Sequence, residues 1–189
     1  MYADRLFNAL EKREPAPGTV LLSAPGAQRT ATLIIGQNGH YTLGVDLTVR
    51  SEVPVFNLLP EWHEVAFKPQ AFFVGGPHEN NAVFAIAVLG DAAAPTDLFQ
   101  PFGPQLAQVA MGADPNIIKQ YAKGVRFFSG HQRWETHVVQ EEVAAGEWYV
   151  APALAHDVMS SGDVWGEIMH RQEMPLPLYA TFPSNLFLN

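Results

Sequence analysis

Hydrophobic and polar positions alternate in short bursts along much of this chain, and long helical stripes are few. Thr19–Ala24 and Ala31–Gly36 are brief apolar runs separated by a Pro/Gly-containing stretch, the pattern of two strands and a loop. An Asn38-Gly39 pair marks a turn, and a third strand runs from Tyr41 to about Val49, so the chain opens as a β-meander. Ala71–Val74 and Val83–Leu89 read as two more buried strands around a Gly75-Gly76-Pro77 turn, where glycine would supply a positive φ. Val125–Phe128, Trp148–Val150 and Leu176–Thr181 complete the expected strands.

Helical periodicity appears in four places. Asp4–Glu14 carries Leu6, Phe7 and Leu10 on one face and stops at Pro15. Asp114 caps a helix with Pro115 at its first position, Ile117, Ile118, Tyr121 and Ala122 as its apolar face, and Gly124 as its end. Trp134–Ala145 forms a third helix that ends at Gly146. Asp163 caps a fourth, with Val164, Trp165, Ile168, Met169 and Gln172 on its face. Pro15–Gly18 and Ala92–Pro104 read as loops. Clustered strands with helices inserted late favour an α+β fold over a regular βαβ series.

Composition narrows the function. A length of 189 residues predicts one domain, and 48% apolar residues suffice for a core. The absence of cysteine excludes disulfides, thiolate zinc sites and Cys nucleophiles. The first twenty residues hold no apolar core of a signal peptide, and no run approaches the ~20 residues of a membrane span, so a cytoplasmic protein without membrane contact is expected. Net charge is −8. It is locally shaped: no Lys or Arg lies between Lys68 and Lys119, where Glu79, Asp91, Asp97 and Asp114 fall. Duplex binding needs a basic face that neutralises several phosphates together, so direct nucleic-acid binding is disfavoured.

The candidate chemistry is sparse. Gly75, Gly76 and Pro77 could cradle an anion, yet Pro77 lacks an N–H and no Lys follows as in a P-loop. His137 and Glu141 stand four apart on the expected helix with His131 upstream, an incomplete metal-ligand set; no HExxH occurs. Glu141 and Glu142 could act as acid and base, or simply form a solvated helix face. Trp62, Trp134, Trp148 and Trp165 suit core packing, with Trp134 also a candidate pocket wall. Neither a GxSxG elbow nor a GxGxxG loop occurs, and no cofactor is expected.

Several of these segments together resemble the YqgE/AlgH family of uncharacterised bacterial proteins. The likeness is carried by Val125–Gly130, Trp134, Gln140–Val143 and Gly146-Glu147-Trp148, in that order. Earlier in the chain, Pro17–Pro25 resembles that family's opening strand, Gly44–Leu47 its Gly-Leu-Val-Leu strand, and Phe73–Pro77 its Gly-Gly-Pro turn. Trp165 and the Ala180–Asn185 region also fall in place. The resemblance runs from about residue 17 to the C-terminus. It implies a single α+β domain over 1–189, with residues 1–16 as an N-terminal helical extension and a bent, partly barrel-like, mixed/antiparallel sheet surrounded by helices. It establishes no activity; some members are described as transcriptional regulators, chiefly from genetic context. Two departures stand out. Thr48-Val49-Arg50 replaces the family's Asn-Arg-Pro, and Arg133–Val139 replaces its glycine-rich Trp turn, so any family site built there is altered. The expectation is therefore a non-enzymatic protein that binds a small ligand or a protein, with a regulatory role, through Gly75, Gly76, Pro77, Trp134, Glu141 and Glu142. The alternative is a metal- or carboxylate-dependent hydrolase using His131, His137, Glu141 and Glu142.

Overall fold

Strand alternation turns half of each apolar run toward one face of a sheet and half toward the other, and this chain buries both faces. A computed structural model describes residues 13–181. Its strands are β1 (Thr19–Ser23), β2 (Ala31–Gln37), β3 (Tyr41–Asp46), β4 (Arg50–Pro54), β5 (Ala71–Val74), β6 (His78–Leu89), β7 (Phe99–Gly103), β8 (Leu106–Val109), β9 (Ala122–Glu135) and β10 (Trp148–Pro152). The helices are α1 (Val55–Leu58), a 3-10 helix (Pro60–Val65), α2 (Pro115–Tyr121), α3 (Thr136–Ala145), α4 (Ala155–Met159), α5 (Val164–His170) and α6 (Leu176–Tyr179). The helix expected over Asp4–Glu14 lies outside the described residues, save Arg13 and Glu14, which are irregular.

Ten strands form one mixed sheet in the order β10-β1-β2-β3-β9-β6-β8-β7, with β5 joining β9 and β4 joining β5. All pairings are antiparallel except β5 with β9. The sheet curls into a half-barrel. Gln108 of β8 donates from Nε2 to the Ile35 carbonyl of β2 at 3.0 Å, although three strands separate the two in the sheet order. The inner face gathers Val20, Leu33, Val45, Ile86 and Phe128, and α4, α5 and α6 close over it with Val158, Trp165, Ile168 and Leu176. Outside, α3 covers Leu21, Ile34 and Val150 through Val139 and Val143. The 3-10 helix and α2 cover Ala85, Ala87, Val125 and Phe127.

The expected elements match with informative shifts. Asp114 accepts the Asn116 N–H at 2.9 Å and starts α2, but Gly124 lies inside β9 rather than ending the helix. The third strand stops at Asp46 because the Asp46 carboxylate takes the Thr48 N–H and hydroxyl, a local turn that competes with the ladder. Helix α3 starts at Thr136 instead of Trp134, since Trp134 and Glu135 are paired with Thr42 and Tyr41 of β3. Leu176–Thr181, expected as a strand, is helical over Leu176–Tyr179. Pro175 and Pro177 fit a helix start and would break a ladder, while Leu176 and Tyr179, three apart, reach the core together. The loop expected over Ala92–Pro104 contains β7, and β4 and β8 form in stretches whose pattern predicts no strand.

One side chain inside the curl is a cation. Arg126 of β9 is only 2% exposed and lies between Val125 and Phe127, whose side chains face outward. Its guanidinium donates to five backbone carbonyls: Phe67 at 3.1 Å, Pro69 at 3.0 Å, Lys68 at 3.3 Å, Val158 at 3.1 Å and Met159 at 2.9 Å. The Phe73 ring lies 4.5 Å below it. Burial pulls its pKa down to about 10, so it is charged at neutral pH, held by dipoles rather than a carboxylate. It ties the loop before β5 to the end of α4, satisfying carbonyls that a short helix leaves open. Arg126→Met should lower stability in urea unfolding by about 1–3 kcal/mol, the cost of leaving buried acceptors unsatisfied. Arg126→Lys should also destabilise, because an ammonium has three donors for five acceptors.

Candidate functional site at the sheet rim

Gly75-Gly76-Pro77 is not a hairpin turn. Residues Phe73 and Val74 of β5 pair with Phe128 and Ser129 on one side of β9. Residues Val83 and Phe84 of β6 pair with Ser129 and Phe128 on the other side. The segment therefore crosses over β9. A Cβ on Gly75 would lie 2.3 Å from the Gly130 carbonyl oxygen, and one on Gly76 2.3 Å from the His131 carbonyl carbon. Neither glycine has a positive φ, so the turn chemistry expected from sequence is corrected: absence of a side chain, not backbone freedom, is what the position demands. Gly130, at φ 70°, supplies the left-handed residue beneath the crossing. Two backbone bonds lock it, Gly75 N–H to the Ser129 carbonyl and Asp46 N–H to the Gly75 carbonyl, both 2.9 Å.

Beyond the crossing, the start of β6 bulges from β9 between His78 and Val83 and makes a polar corner. His131 is buried, stacked on His78 with ring centroids 5.8 Å apart and set edge-on to Phe84. Its Nε2 lies 3.4 Å from the Glu79 carboxylate, and its Nδ1 lies 3.1 Å from the Gln132 carbonyl oxygen. Glu79 has φ 50°, uncommon for a residue with a side chain. The Asn80 side-chain amide faces the Gly76 and Pro77 carbonyls and, turned with its nitrogen toward them, donates to both at 3.2 and 3.1 Å, while the Asn80 main-chain carbonyl accepts the Ser129 hydroxyl at 2.6 Å. The corner thus presents two imidazoles, a carboxylate and an amide on a pinned backbone.

The other candidates lie elsewhere. Trp134 packs edge-on against Trp148 beneath α3, at 6.3 Å between centroids, in a different packed layer from Phe84, against which His131 sits. Glu142 accepts the Trp148 indole N–H at 2.8 Å, whereas Glu141 is exposed. His137 is exposed beside Glu135, 3.6 Å away. His131, His137 and Glu142 are thus engaged in three separate places, and among the described residues no group of three His, Asp or Glu is arranged to hold a metal ion. Sequence reasoning missed His78, Glu79 and Asn80, whose stretch carries no recognisable pattern, and Arg126, whose one signal is a lone charge in the apolar run Val125–Phe128. Three clefts of about 280, 460 and 270 Å³ lie away from every one of these residues.

A family model described as AlgH-like matches residues 19–177. A UPF0301 protein of Corynebacterium efficiens is 42% identical over 193 residues, covering 97% of this chain and 96% of the relative. A UPF0301 protein of Mycobacterium tuberculosis is 35% identical over 181 residues, covering 91% and 90%. Among solved structures, a crystal structure of a Corynebacterium diphtheriae protein superposes with a TM-score of 0.92 at 44% identity, covering 96% of this chain and all of that one. The solution structure of AlgH from Pseudomonas aeruginosa has the same fold, with a TM-score of 0.64 at 15% identity, covering 92% and 98%.

Two measurements check this geometry. Gly76→Ala should lower stability by about 2–3 kcal/mol through overpacking. Gly36→Ala, where nothing lies within 4 Å of an added Cβ, should stay within about 0.5 kcal/mol. The second concerns Asp46, whose carboxyl is held above its ordinary pKa of 3.8 by burial, partly offset by the Thr48 bonds. A raised folded pKa means that the folded state binds the proton more tightly, so this group costs stability above that pKa and the cost fades as pH falls through it. Asp46→Asn should therefore be at least as stable as the parent at pH 7, with the difference shrinking toward pH 4 in urea melts.

Proposed function

This chain belongs to the AlgH-like family, and from that premise we propose that it is a non-enzymatic cytoplasmic protein that binds a small polar ligand at the rim corner, in a regulatory role. The observation that carries the reading is Glu79. A non-glycine residue at φ 50° is strained, and such strain persists where the surroundings over-determine it, as at ligand clamps. Here it sets a carboxylate beside a buried imidazole, with His78 and Asn80 alongside. The groups suit a ligand that both donates and accepts hydrogen bonds. Direct nucleic-acid binding is disfavoured by the basic-free run from Pro69 to Ile118. It is disfavoured also because Arg126 is buried and Arg171 is engaged bidentately by buried Asp157. No helix among the described residues is long and apolar enough to cross a membrane.

Glu79→Gly provides the test, since it removes the carboxylate and relieves the strain together. The variant should melt no lower than the parent, the relief being about 1 kcal/mol. It should lose the thermal shift produced by whichever compound in a library of small polar metabolites stabilises the parent. An undiminished shift in Glu79→Gly would move the site away from this corner, and turnover of a library compound would end the non-enzymatic reading.

A further inference from the structure

At the rim corner two hydrogen-bond acceptors stand side by side, and that pairing selects the chemistry of a ligand. The Nδ1 atom of His131 lies 3.1 Å from the Gln132 carbonyl oxygen, which can only accept, so Nδ1 carries the ring proton. In the neutral ring Nε2 is then an acceptor. It lies 3.4 Å from the Glu79 carboxylate, which is an acceptor too. A charge-assisted N–H···O bond closes to about 2.7–2.9 Å, so the two groups are neighbours without being bonded to each other. Packing holds them there. The His131 side chain is 5% exposed, with His78 stacked on its ring and Phe84 set edge-on, whereas the Glu79 side chain is 66% exposed and reachable from solvent.

A donor fits between two acceptors, and beside a carboxylate that donor is best a cation. A primary ammonium has three N–H donors and no acceptor, so it can give one to Nε2, one to Glu79 and the third to water. The surrounding charge agrees. No Lys or Arg lies between Lys68 and Lys119, and Arg133, two residues along β9 from His131, is held over the Tyr41 ring at 5.1 Å. Among the described residues no Lys or Arg pairs with Glu79. An anion would therefore meet a carboxylate with no basic partner. A metal ion would need three or four convergent ligands, and among the described residues no group of three His, Asp or Glu is arranged to hold one. His78, exposed on the same stack, leaves a ring N–H for an acceptor elsewhere on the ligand.

We infer that the corner takes a small primary amine as its ammonium ion, held between His131 Nε2 and the Glu79 carboxylate. The inference rests on the reading of this corner as the ligand site and adds the chemical class.

Titration of the full chain at neutral pH, followed by heteronuclear NMR of the backbone amides and histidine rings, tests it with four probes. Before any addition, the His131 ring should show a protonated Nδ1 and a bare Nε2. Ethanolamine over a millimolar range should shift the signals of His131, Glu79 and Asn80 saturably. Ethylene glycol has a hydroxyl in place of the ammonium, glycolate a carboxylate, and choline is a cation without N–H; each should bind roughly tenfold more weakly or worse. Glu79→Gln, at an exposed position, should melt like the parent and lose roughly tenfold or more in ethanolamine affinity.

A His131 ring protonated on both nitrogens before addition overturns the inference. So does choline binding as well as ethanolamine, or an undiminished ethanolamine response in Glu79→Gln. Corner signals that move with ethylene glycol or glycolate but not with ethanolamine overturn the amine class and leave the corner standing as a ligand site. Corner signals unmoved by all four probes also overturn the amine class, and the corner itself then stands or falls with the metabolite screen against Glu79→Gly.

Discussion

Two backbones touch in this fold with no room for a side chain between them, and much of the architecture follows from that contact. The segment Gly75-Gly76-Pro77 lies across Gly130 and His131 of β9. Because it crosses there, β5 and β6 flank the same residues of β9 on opposite sides, one parallel and one antiparallel. A tight hairpin would have made them neighbours. The crossing also carries the Asp46 N–H on the Gly75 carbonyl, which couples the end of β3 to the same point. It then delivers His78, Glu79 and Asn80 to the rim beside His131, so the polar corner is a by-product of a backbone constraint.

Inside the curl the sheet tolerates a full positive charge because backbone geometry supplies its solvation. Arg126 meets five carbonyls and an aromatic face, which replaces water without a second buried charge. An uncompensated ion in that position would cost several kcal/mol or more. The arrangement makes the cation a fastener between the loop at Phe67–Pro69 and the end of α4, two segments about ninety residues apart in sequence. A second cation, Arg171, reaches buried Asp157 from the last turns of the chain. The helices that cover the inner face are therefore anchored by charge at defined points, and apolar contact fills the space between.

Apolar runs bounded by turn residues were readable in the sequence, and β1, β2, β5 and β10 lie where those runs lie. Side chains that carry no periodicity were not. Strand β4 is exposed along most of its length, so it shows no buried alternation, and β7 contains Pro101 within a stretch rich in Pro and Gly. The last segment misled because Leu176 and Tyr179 satisfy an apolar run equally well as a turn of helix. The candidate site was half legible. The glycines at 75 and 76 were recognisable as special, but what they avoid is Gly130 and His131, more than fifty residues away, and no local pattern reports a distant backbone. Trp134 and Glu142 were singled out as ligand groups and are joined instead through Trp148, whose indole occupies both.

If the crossing is part of the core rather than a surface loop, its amides should open only when the whole protein unfolds. Native-state hydrogen exchange at Gly75 and Asp46 measures this directly. Both N–H groups should exchange at the rate set by global unfolding and share the protection of β9 amides such as Phe127. Exchange at Gly75 and Asp46 as fast as at loop amides such as Asp91 and Gly112, with β9 still protected, would contradict the account.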